Sequence, residues 1–510
     1  GSFQRHSCAP SDGGPSVSRC DRSISWWIER VGEFNLPFAV FLPLVVRLMG
    51  LIHSMLTRFH DRCWHPATPW RPEKFPFFYG WVIVFAATLG TVFSIPGQTM
   101  GFSVFTEVLM KELQLSRVQL SVAYCLGTVL SGVMLPMIGR WMDRWGERKM
   151  SVVATVSSFL ILLFLSEVVH VTQKVMLWIP GLGHTWVAFL TMTVGFFLIR
   201  LSAQGVLSMA CRNAIGRWFD RNRGWAFSLS SLVVSFSFAV APRWMNLLVE
   251  SYGYQVAWQS IALATLVIMA PIAWACFRDA PEQSGLCMDG RLFSKTKALP
   301  MDMWIHQEMN LAQTLRSFSF WVFNLSFAFY AMFATAFTFH IVSMGDEFGF
   351  QPEAMIRLFL PMATVSVLTN LCFGWINPKV RLKGLLFVMN LGALAGVVGL
   401  YALNSESGVL AYVVGNGVAG GGFVCLSGIV WPRFFGRAHL GAISGVNMST
   451  MVIASGLGPL IFGFSGQVLA SYRPALLFSA LLPLFLAVGS LWADNPQRRW
   501  ARAQASPTLD

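Results

Sequence analysis

The sequence predicts an all-α polytopic membrane protein, with twelve transmembrane helices in two pseudo-symmetric six-helix bundles. Three observations support this fold class. Hydrophobic residues make up 55% of the 510 residues and charged residues only 12%, whereas soluble domains have about 25% charged residues. The apolar residues form twelve runs, each close to the roughly 20 residues that cross a bilayer. The two groups of six runs also share sequence features.

A long polar segment separates the two groups of runs. The predicted domains are therefore an N-terminal bundle at 78–276, a cytoplasmic connector at 277–317 and a C-terminal bundle at 318–493, with a cytoplasmic tail at 494–510. The connector is rich in Pro and Gly, which is typical of a loop. The predicted spans lie near 80–105, 118–138, 150–168, 185–210, 224–249, 254–276, 318–343, 355–376, 384–404, 408–431, 440–463 and 471–493.

Residues 1–77 form an N-terminal extension outside this pattern. The stretch 24–56 is apolar, but Pro37, Pro43 and Arg47 interrupt it. We interpret it as an interfacial helix with tryptophans at the lipid headgroups. A targeting segment and a thirteenth span remain open alternatives.

The basic residues predict the orientation in the membrane. The net charge of +13 comes from short Lys/Arg clusters between apolar runs, in the loops after runs two, four, eight and ten, in the connector and in the tail. Such clusters mark cytoplasmic loops, so both termini are expected in the cytoplasm, with the plasma or inner membrane as the location. Because the clusters form no continuous basic stripe, we expect no nucleic-acid partner; the expected partners are lipid and a small molecule.

The two halves resemble each other around the start of the fifth and eleventh runs. The segment GRWFDRNRGWAFS at 216–228 is matched by PRFFGRAHLGAIS at 432–444. Both have Arg, an aromatic residue and Phe, then a second Arg and an Ala-x-Ser that opens the next run. Duplicated halves of six spans are typical of transporters, in which two bundles move about a site near the middle of the membrane.

The loop after the second run carries a recognisable motif, GRWMDRWGERK at 139–149. It resembles the major facilitator superfamily signature G-x-x-x-D-R-x-G-R-[RK], except that Glu147 replaces the usual arginine. The resemblance implies a major facilitator fold and a gating loop that latches the two bundles, with its aspartate at a helix N-terminus, where the helix dipole favours an anion. The matching loop of the second half has Pro378 at the aspartate position, which weakens that role there. The gating residues so implied are Gly139, Asp143, Arg144, Gly146 and Arg148.

Weaker motifs are similar to the branch of monocarboxylate transporters and oxalate/formate exchangers. They are FYGWVIVFAATLG (78–90), GQTMGFSVFTEVL (97–109), NAIGRWFDRNRGWA (213–226) and PEQSGLCMDG (281–290). This resemblance implies a small organic anion as the substrate, without identifying which one.

Arg200 is the most unusual residue of the spans, because it lies near the middle of the fourth apolar run. A guanidinium at that depth needs a partner. Thr193, Gln204 and Ser208 share its helix face, which indicates a polar or protein-facing stripe. The family places an arginine before a Gln-Gly pair, and here Gln204 follows with one residue more than the usual spacing. Arg200 is predicted either to bind backbone carbonyls within its bundle or to bind the anionic substrate.

A second positive group could lie on the fifth run, which has a stripe of small polar residues ending at Arg243. Arg243 either extends to the membrane surface or lines the outer mouth of the pathway. No Asp or Glu lies at mid-depth in any run. An interior with arginines and no carboxylates should favour anions over amines and cationic drugs.

Four further polar residues are substrate-site candidates. Gln98 follows Pro96-Gly97 in the first run, Tyr124 lies in the second, His340 near the outer end of the seventh and Asn447 in the eleventh. Asn and Gln in spans also serve as hydrogen-bond links between helices. His340 is a candidate for proton coupling because histidine is the side chain most often used for that role near neutral pH, although an interfacial histidine is the alternative.

The sequence contains no recognisable set of catalytic side chains, no metal-ligand spacing and no nucleotide-binding loop. We therefore predict a carrier and not an enzyme, with no cofactor and no metal, acting as a monomer. The expected function is secondary active transport of a small mono- or dicarboxylate by alternating access. The alternatives are a carrier of a drug, nucleoside or sugar, and a membrane sensor or scaffold that does not transport.

Overall fold

The computed structural model describes residues 61–178, 181, 183–290 and 305–498. The chain divides into two compact units, Gly1–Thr68 and Pro69–Asp510, and all that follows concerns the second. The helix expected within 24–56, residues 291–304 of the connector and the tail beyond 498 lie outside the described residues.

In the described part of the chain, nine helices are long and apolar enough to cross a membrane. Two of the nine, Arg117–Ser166 and Arg223–Cys276, are each interrupted by a glycine with positive φ, Gly146 at 83° and Gly253 at 81°. Only glycine adopts such a conformation readily, so each of these helices provides two spans. With the shorter apolar helix Gly80–Phe93 the total is twelve, which confirms the predicted fold class.

We number the spans in chain order. Span 1 is Gly80–Phe93; spans 2 and 3 are the parts of Arg117–Ser166 before and after the hinge segment 139–149; spans 5 and 6 are the parts of Arg223–Cys276 before and after Gly253. The others are span 4 (His184–Trp218), span 7 (Phe318–Phe348), span 8 (Phe359–Ile376), span 9 (Leu382–Tyr401), span 10 (Glu406–Phe435), span 11 (Leu440–Val468) and span 12 (Arg473–Ser490).

Span 1 is shorter than the predicted 80–105, because the helix ends at Phe93. A 3₁₀ turn, Ile95–Gly97, follows and contains Pro96. Proline lacks an amide proton and cannot continue the helical hydrogen bonding. The chain is extended at Gln98 and becomes helical again over Thr99–Ser103. Span 1 is thus followed by a buried break in which backbone groups lie outside the α-helical hydrogen-bond pattern.

Span 4 is longer than the predicted 185–210 and ends only at Trp218. The apolar run stops at Arg212, but the helix continues because Asn213 and Ile215 are buried against neighbouring spans. Within span 4, residues Arg200–Leu207 are π-helical. Such segments are rare and occur frequently at functional sites.

Aromatic packing holds the second part of span 1 against spans 4 and 6. The ring centroids of Phe105 and Trp258 are 3.8 Å apart and stacked, and those of Phe102 and Phe196 are 4.4 Å apart. All four side chains are buried. Aromatic pairs of this kind add about 0.5–1.5 kcal/mol beyond the burial of their area. They fix the broken part of span 1 beside Arg200.

Candidate substrate site and the closed face

Arg200 is buried, with 2% of its surface exposed. Its Nη1 donates to the Gly97 carbonyl at 3.3 Å and to the Thr99 hydroxyl at 3.4 Å. Both acceptors lie in the broken part of span 1, so the interruption at Pro96 supplies the polar groups that contact the guanidinium. An intact helix would have directed its backbone groups along its own axis.

Tyr124 of span 2 completes this contact. Its ring centroid lies 5.1 Å from the Arg200 guanidinium carbon, within the range of a cation–π interaction. Its hydroxyl is 2.8 Å from the Thr99 hydroxyl. Arg200 therefore contacts one carbonyl, one hydroxyl and one ring, all neutral.

Not every hydrogen-bond donor of Arg200 has a partner. Its Nε is buried and makes no hydrogen bond, and the amide oxygen of Gln204 is likewise buried without a partner. In the described part of the chain no carboxylate forms an ion pair with Arg200. Buried polar groups normally have partners, so Arg200 and Gln204 each keep hydrogen-bonding capacity that their protein neighbours do not use.

Gln98 belongs to the same polar stripe. Its amide nitrogen donates to the Ser94 hydroxyl at 3.3 Å, and Ser94 also accepts from Ser208 of span 4 at 3.1 Å. The structure therefore brings together Arg200, Gln204, Gln98 and Tyr124 of the predicted site residues.

Asn447, His340 and Arg243 lie elsewhere. The Asn447 amide donates to Asn324 of span 7 at 2.8 Å. A His340 ring nitrogen is 2.9 Å from the Pro459 carbonyl and the other is 3.3 Å from the Tyr472 hydroxyl, so both ring nitrogens are occupied within the second half.

The face of the molecule that carries the loops after spans 2, 4, 8 and 10 is rich in arginine, and we call it the arginine-rich face. Here Asp143 accepts from the backbone amides of Gly441 and Ala442, at 2.6 and 2.7 Å, in the first turn of span 11. These amides have no helical partner. The contact links the two halves of the protein.

Arg217 contacts Asp143, and two further carboxylates, those of Glu147 and Asp279, lie near it. Arg217 Nη2 donates to Asp143 at 3.1 Å, and its Nε is 2.6 Å from Glu147 Oε1, an ion pair without an aligned hydrogen bond. Asp279 accepts from the Arg148 amide at 2.8 Å. Burial raises the pKa of Glu147 to about 7 and also raises the pKa of Asp143 and of Asp279, although Arg217 acts in the opposite direction on all three.

Sequence reasoning missed Arg217 and the burial of Glu147. The signals were present, because Arg217 belongs to the duplicated Arg–aromatic–Phe segment and Glu147 is the departure from the family motif. The counterpart of Arg217 in the second half is Arg433, which donates to the Asn377 carbonyl of the loop after span 8 at 2.8 Å. Each half thus uses the same arginine to hold its own loop.

The two halves approach closely at two glycine crossings on this face. A Cβ added to Gly139 of the hinge segment would overlap the Gly441 carbonyl, and one added to Gly224 of span 5 would overlap the Gly374 carbonyl of span 8. Gly139 and Gly374 are the first residues of the two matched segments, 139–149 and 374–384. The crossings allow helix backbones to touch, as small residues do in membrane bundles.

Spans 5 and 8 separate away from this face. Ser228 is buried and donates to the Asn370 carbonyl at 3.0 Å, and Ser231 accepts from the Asn370 amide. Further along the same stripe, Ser235 and Arg243 are exposed. The halves are therefore closed at the arginine-rich face. Toward the opposite face, where Arg243 lies, spans 2 and 11 remain in contact as far as Cys125 and Gly456, whose sulfur and carbonyl oxygen are 3.8 Å apart.

The comparisons with known proteins agree with this architecture. A family model described as Major Facilitator Superfamily matches residues 87–415. A search of curated proteins gave no match.

Several solved structures share the fold. The Escherichia coli fucose:proton symporter FucP has a TM-score of 0.54 at 13% identity, covering 82% of this chain and 99% of that one. A bacterial homologue of the iron transporter ferroportin, in an outward-facing state, has a TM-score of 0.58 at 16% identity, with 81% and 99% covered. The human organic anion transporter MFSD10 (TETRAN) has a TM-score of 0.54 at 12% identity, with 81% and 99% covered. Identities this low establish the fold alone.

Proposed function

Because the chain belongs to the Major Facilitator Superfamily, we propose that it is a secondary active transporter that carries a small organic anion, a mono- or dicarboxylate, by alternating access. The proposal goes beyond the family, whose structural neighbours include sugar, iron and organic anion transporters. Their fold does not select a substrate, so the choice of an anion depends on the chemistry of the interior.

The observation that carries the proposal is the incomplete satisfaction of Arg200. It is buried, its contacts are neutral, and its Nε has no hydrogen-bond partner. A carboxylate can bind a guanidinium through two parallel hydrogen bonds, and it would supply the missing acceptor and the missing charge together. The neighbouring Gln204 and Gln98 offer amide groups that fit carboxylate and hydroxyl oxygens.

The distribution of charge supports the same substrate class. Among the described residues, the buried charged side chains are five arginines and Glu147, and the glutamate lies in the hinge segment rather than at mid-depth. A cationic substrate would meet no compensating carboxylate near the middle of the described spans, because Glu250, Asp346, Glu347 and Glu406 lie at span ends. Arg243, exposed where span 5 diverges from span 8, would add a positive charge at the outer mouth.

The arrangement of the halves supports alternating access. We assign the arginine-rich face to the cytoplasm, as the positive-inside rule suggests, which makes this conformation closed to the inside. Asp143 with its amide partners on span 11, together with the two glycine crossings, would then form the inner gate. The resemblance to the monocarboxylate and oxalate/formate branch fits a carrier of small organic anions.

Uptake into proteoliposomes tests the proposal. Radiolabelled lactate, oxalate and succinate are compared with neutral glucose, in the wild type and in Arg200→Gln and Arg200→Lys. Loss of a charge-assisted hydrogen bond costs about 1.5–3 kcal/mol, so we expect carboxylate uptake to fall at least about 10-fold in Arg200→Gln. Arg200→Lys, which keeps the charge but not the fork, should retain part of it.

The matched control is Arg117→Gln, which removes a positive charge from an exposed ion pair with Glu107 and should leave uptake unchanged. Equal transport of glucose and carboxylates, or unchanged carboxylate uptake in Arg200→Gln, would contradict the proposal. Carboxylate binding without exchange across the membrane would favour a sensor instead.

A further inference from the structure

A second polar site lies between the halves, below the Arg200 cluster on the side of the arginine-rich face. It is a cavity of about 20 Å³ bounded by spans 4, 10 and 11. Its polar lining consists of Arg212, Asn213, Ser427, Trp431, Ser444 and Asn447. A cavity of this size holds about one water molecule. Because one wall belongs to the first half and the other two to the second, the cavity must widen when the halves separate here.

Arg212 lies twelve residues after Arg200 on span 4, which places it roughly 18 Å further along the helix at 1.5 Å per residue. Among the described residues it has no hydrogen-bond or ion-pair partner. Trp431 of span 10 lines the same cavity. Trp431 is buried, with 3% of its surface exposed, and its indole Nε1 has no hydrogen-bond partner.

The chemistry of these two groups is one-sided. Guanidinium and indole N–H groups donate hydrogen bonds and cannot accept them, so neither can satisfy the other. The remaining polar groups are already engaged: Asn213 accepts from Ser444 at 2.8 Å and Asn447 donates to Asn324 at 2.8 Å. The cavity therefore contains two unsatisfied donors, one of them charged, and the group that fits both is an anion.

We propose that Arg212 and Trp431 form a second anion-binding site, which receives the carboxylate of the transported anion, or of an anion exchanged for it, when the arginine-rich face opens. The identification of the ligand as a carboxylate rests on the proposed function; the existence of an anion site does not. In the closed conformation the cavity is too small for a carboxylate. Binding therefore favours the conformation that is open on this face, because a ligand shifts a population toward the state it binds better.

Thermal stabilisation of the purified full chain by anions tests the site. Sodium acetate, sodium oxalate and sodium chloride are titrated at constant ionic strength into the wild type, Arg212→Gln, Arg200→Gln and the double variant. We expect the apparent Kd for oxalate to rise about 10-fold or more in Arg212→Gln. Arg200→Gln should retain a residual oxalate response that the double variant loses.

Two further variants separate binding from packing. Trp431→Phe keeps an aromatic ring but removes the N–H donor, so it should weaken oxalate binding; its stabilisation by oxalate is measured relative to its own melting temperature without anion, because the smaller ring also reduces packing. Arg212→Lys keeps the charge and should retain part of the response. All variants are first checked for a single monodisperse peak by size-exclusion chromatography.

The outcomes distinguish this site from the proposed function. If the oxalate titration of Arg212→Gln is identical to that of the wild type, the second site is overturned and the transport proposal stays intact. The same conclusion follows if Arg200→Gln alone loses the response to oxalate completely. Stabilisation by chloride that depends on Arg212, with no response to acetate or oxalate in the wild type, supports the anion site and overturns the carboxylate substrate.

Discussion

At the scale of single residues, Arg200 and Glu147 are the two buried ionisable groups whose surroundings differ most. Arg200 contacts only neutral groups, whereas Glu147 shares one guanidinium, that of Arg217, with Asp143. An arginine cannot lose its charge in a protein, so Arg200 requires an anion or polar contacts. A carboxylic acid can be neutralised by a proton, so Glu147 responds to pH.

The first prediction concerns Glu147. Its folded pKa, about 7, exceeds its ordinary value of 4.5, so the folded state binds the proton more tightly than the unfolded state. This contribution to stability is complete below pH 4.5 and is lost as the pH rises through about 7. The shift corresponds to at most roughly 3 kcal/mol. We expect the melting temperature of the wild type to fall between pH 5.5 and pH 8, and to fall less in Glu147→Gln.

The control is Glu112→Gln, because Glu112 is exposed. Asp143 and Asp279 have pKa values raised by burial as well, so the variant should reduce the pH dependence without abolishing it. The same fall in Glu147→Gln as in the wild type would show that Glu147 stays ionised across this range.

At the scale of elements, span 4 shows how a local irregularity serves the site. Its π-helical segment, Arg200–Leu207, coincides with the place where Arg200 stands one residue further from Gln204 and Gly205 than in the family pattern. A π turn bonds residue i to i+5 rather than i+4 and so accommodates one more residue per turn. We infer that the segment absorbs the extra residue, while Arg200 still contacts the turn after span 1.

Single-residue deletions test this account of span 4. Deletion of Ala203 restores the usual spacing and should convert the π segment to an α-helix, with a melting temperature within a few degrees of the wild type. Deletion of Val187, in the regular helix His184–Ile199, rotates one part of the span by about 100° relative to the other and should destabilise the protein severely. Equal loss of stability in the two deletions would contradict the insertion account.

At the scale of the whole molecule, closure of the arginine-rich face depends on a pair of equivalent crossings. Gly139 meets Gly441, and Gly374 meets Gly224. In one crossing, Gly139 at the end of span 2 meets the start of span 11. In the other, Gly374 near the end of span 8 meets the start of span 5. The two crossings are thus related by the duplication of the halves.

The corresponding prediction places a side chain in one crossing. In Gly441→Val the added atoms overlap the Gly139 backbone, which should shift the population toward the state open on this face. Overpacking of this kind costs typically about 1–3 kcal/mol. The amides of residues 441 and 442 donate to Asp143 in the closed state. We expect hydrogen exchange at these two amides to become about 10-fold faster.

The matched control is Gly384→Val at the start of span 9, where an added Cβ meets no atom within 4 Å. It should leave exchange at these amides unchanged. If Gly441→Val also leaves it unchanged, this crossing does not hold the face closed.

The sequence by itself determined the twelve spans, the duplicated halves and the superfamily, because hydrophobic length, repeated segments and the loop motif are local properties of the chain. It also singled out Arg200, since a charge in an apolar run is visible without a structure. The branch, the substrate and the roles of the individual site residues remain predictions.

Only the tertiary structure decided what each polar group contacts. It paired Arg217 with Glu147, gave both ring nitrogens of His340 partners within the second half, and placed Arg212 and Trp431 at one cavity. These partners are far apart in the chain or lie on different spans, so their contacts follow from how the helices pack. The physical reason is that hydropathy records whether a residue avoids water, whereas the partner of a buried charge depends on which helix faces it.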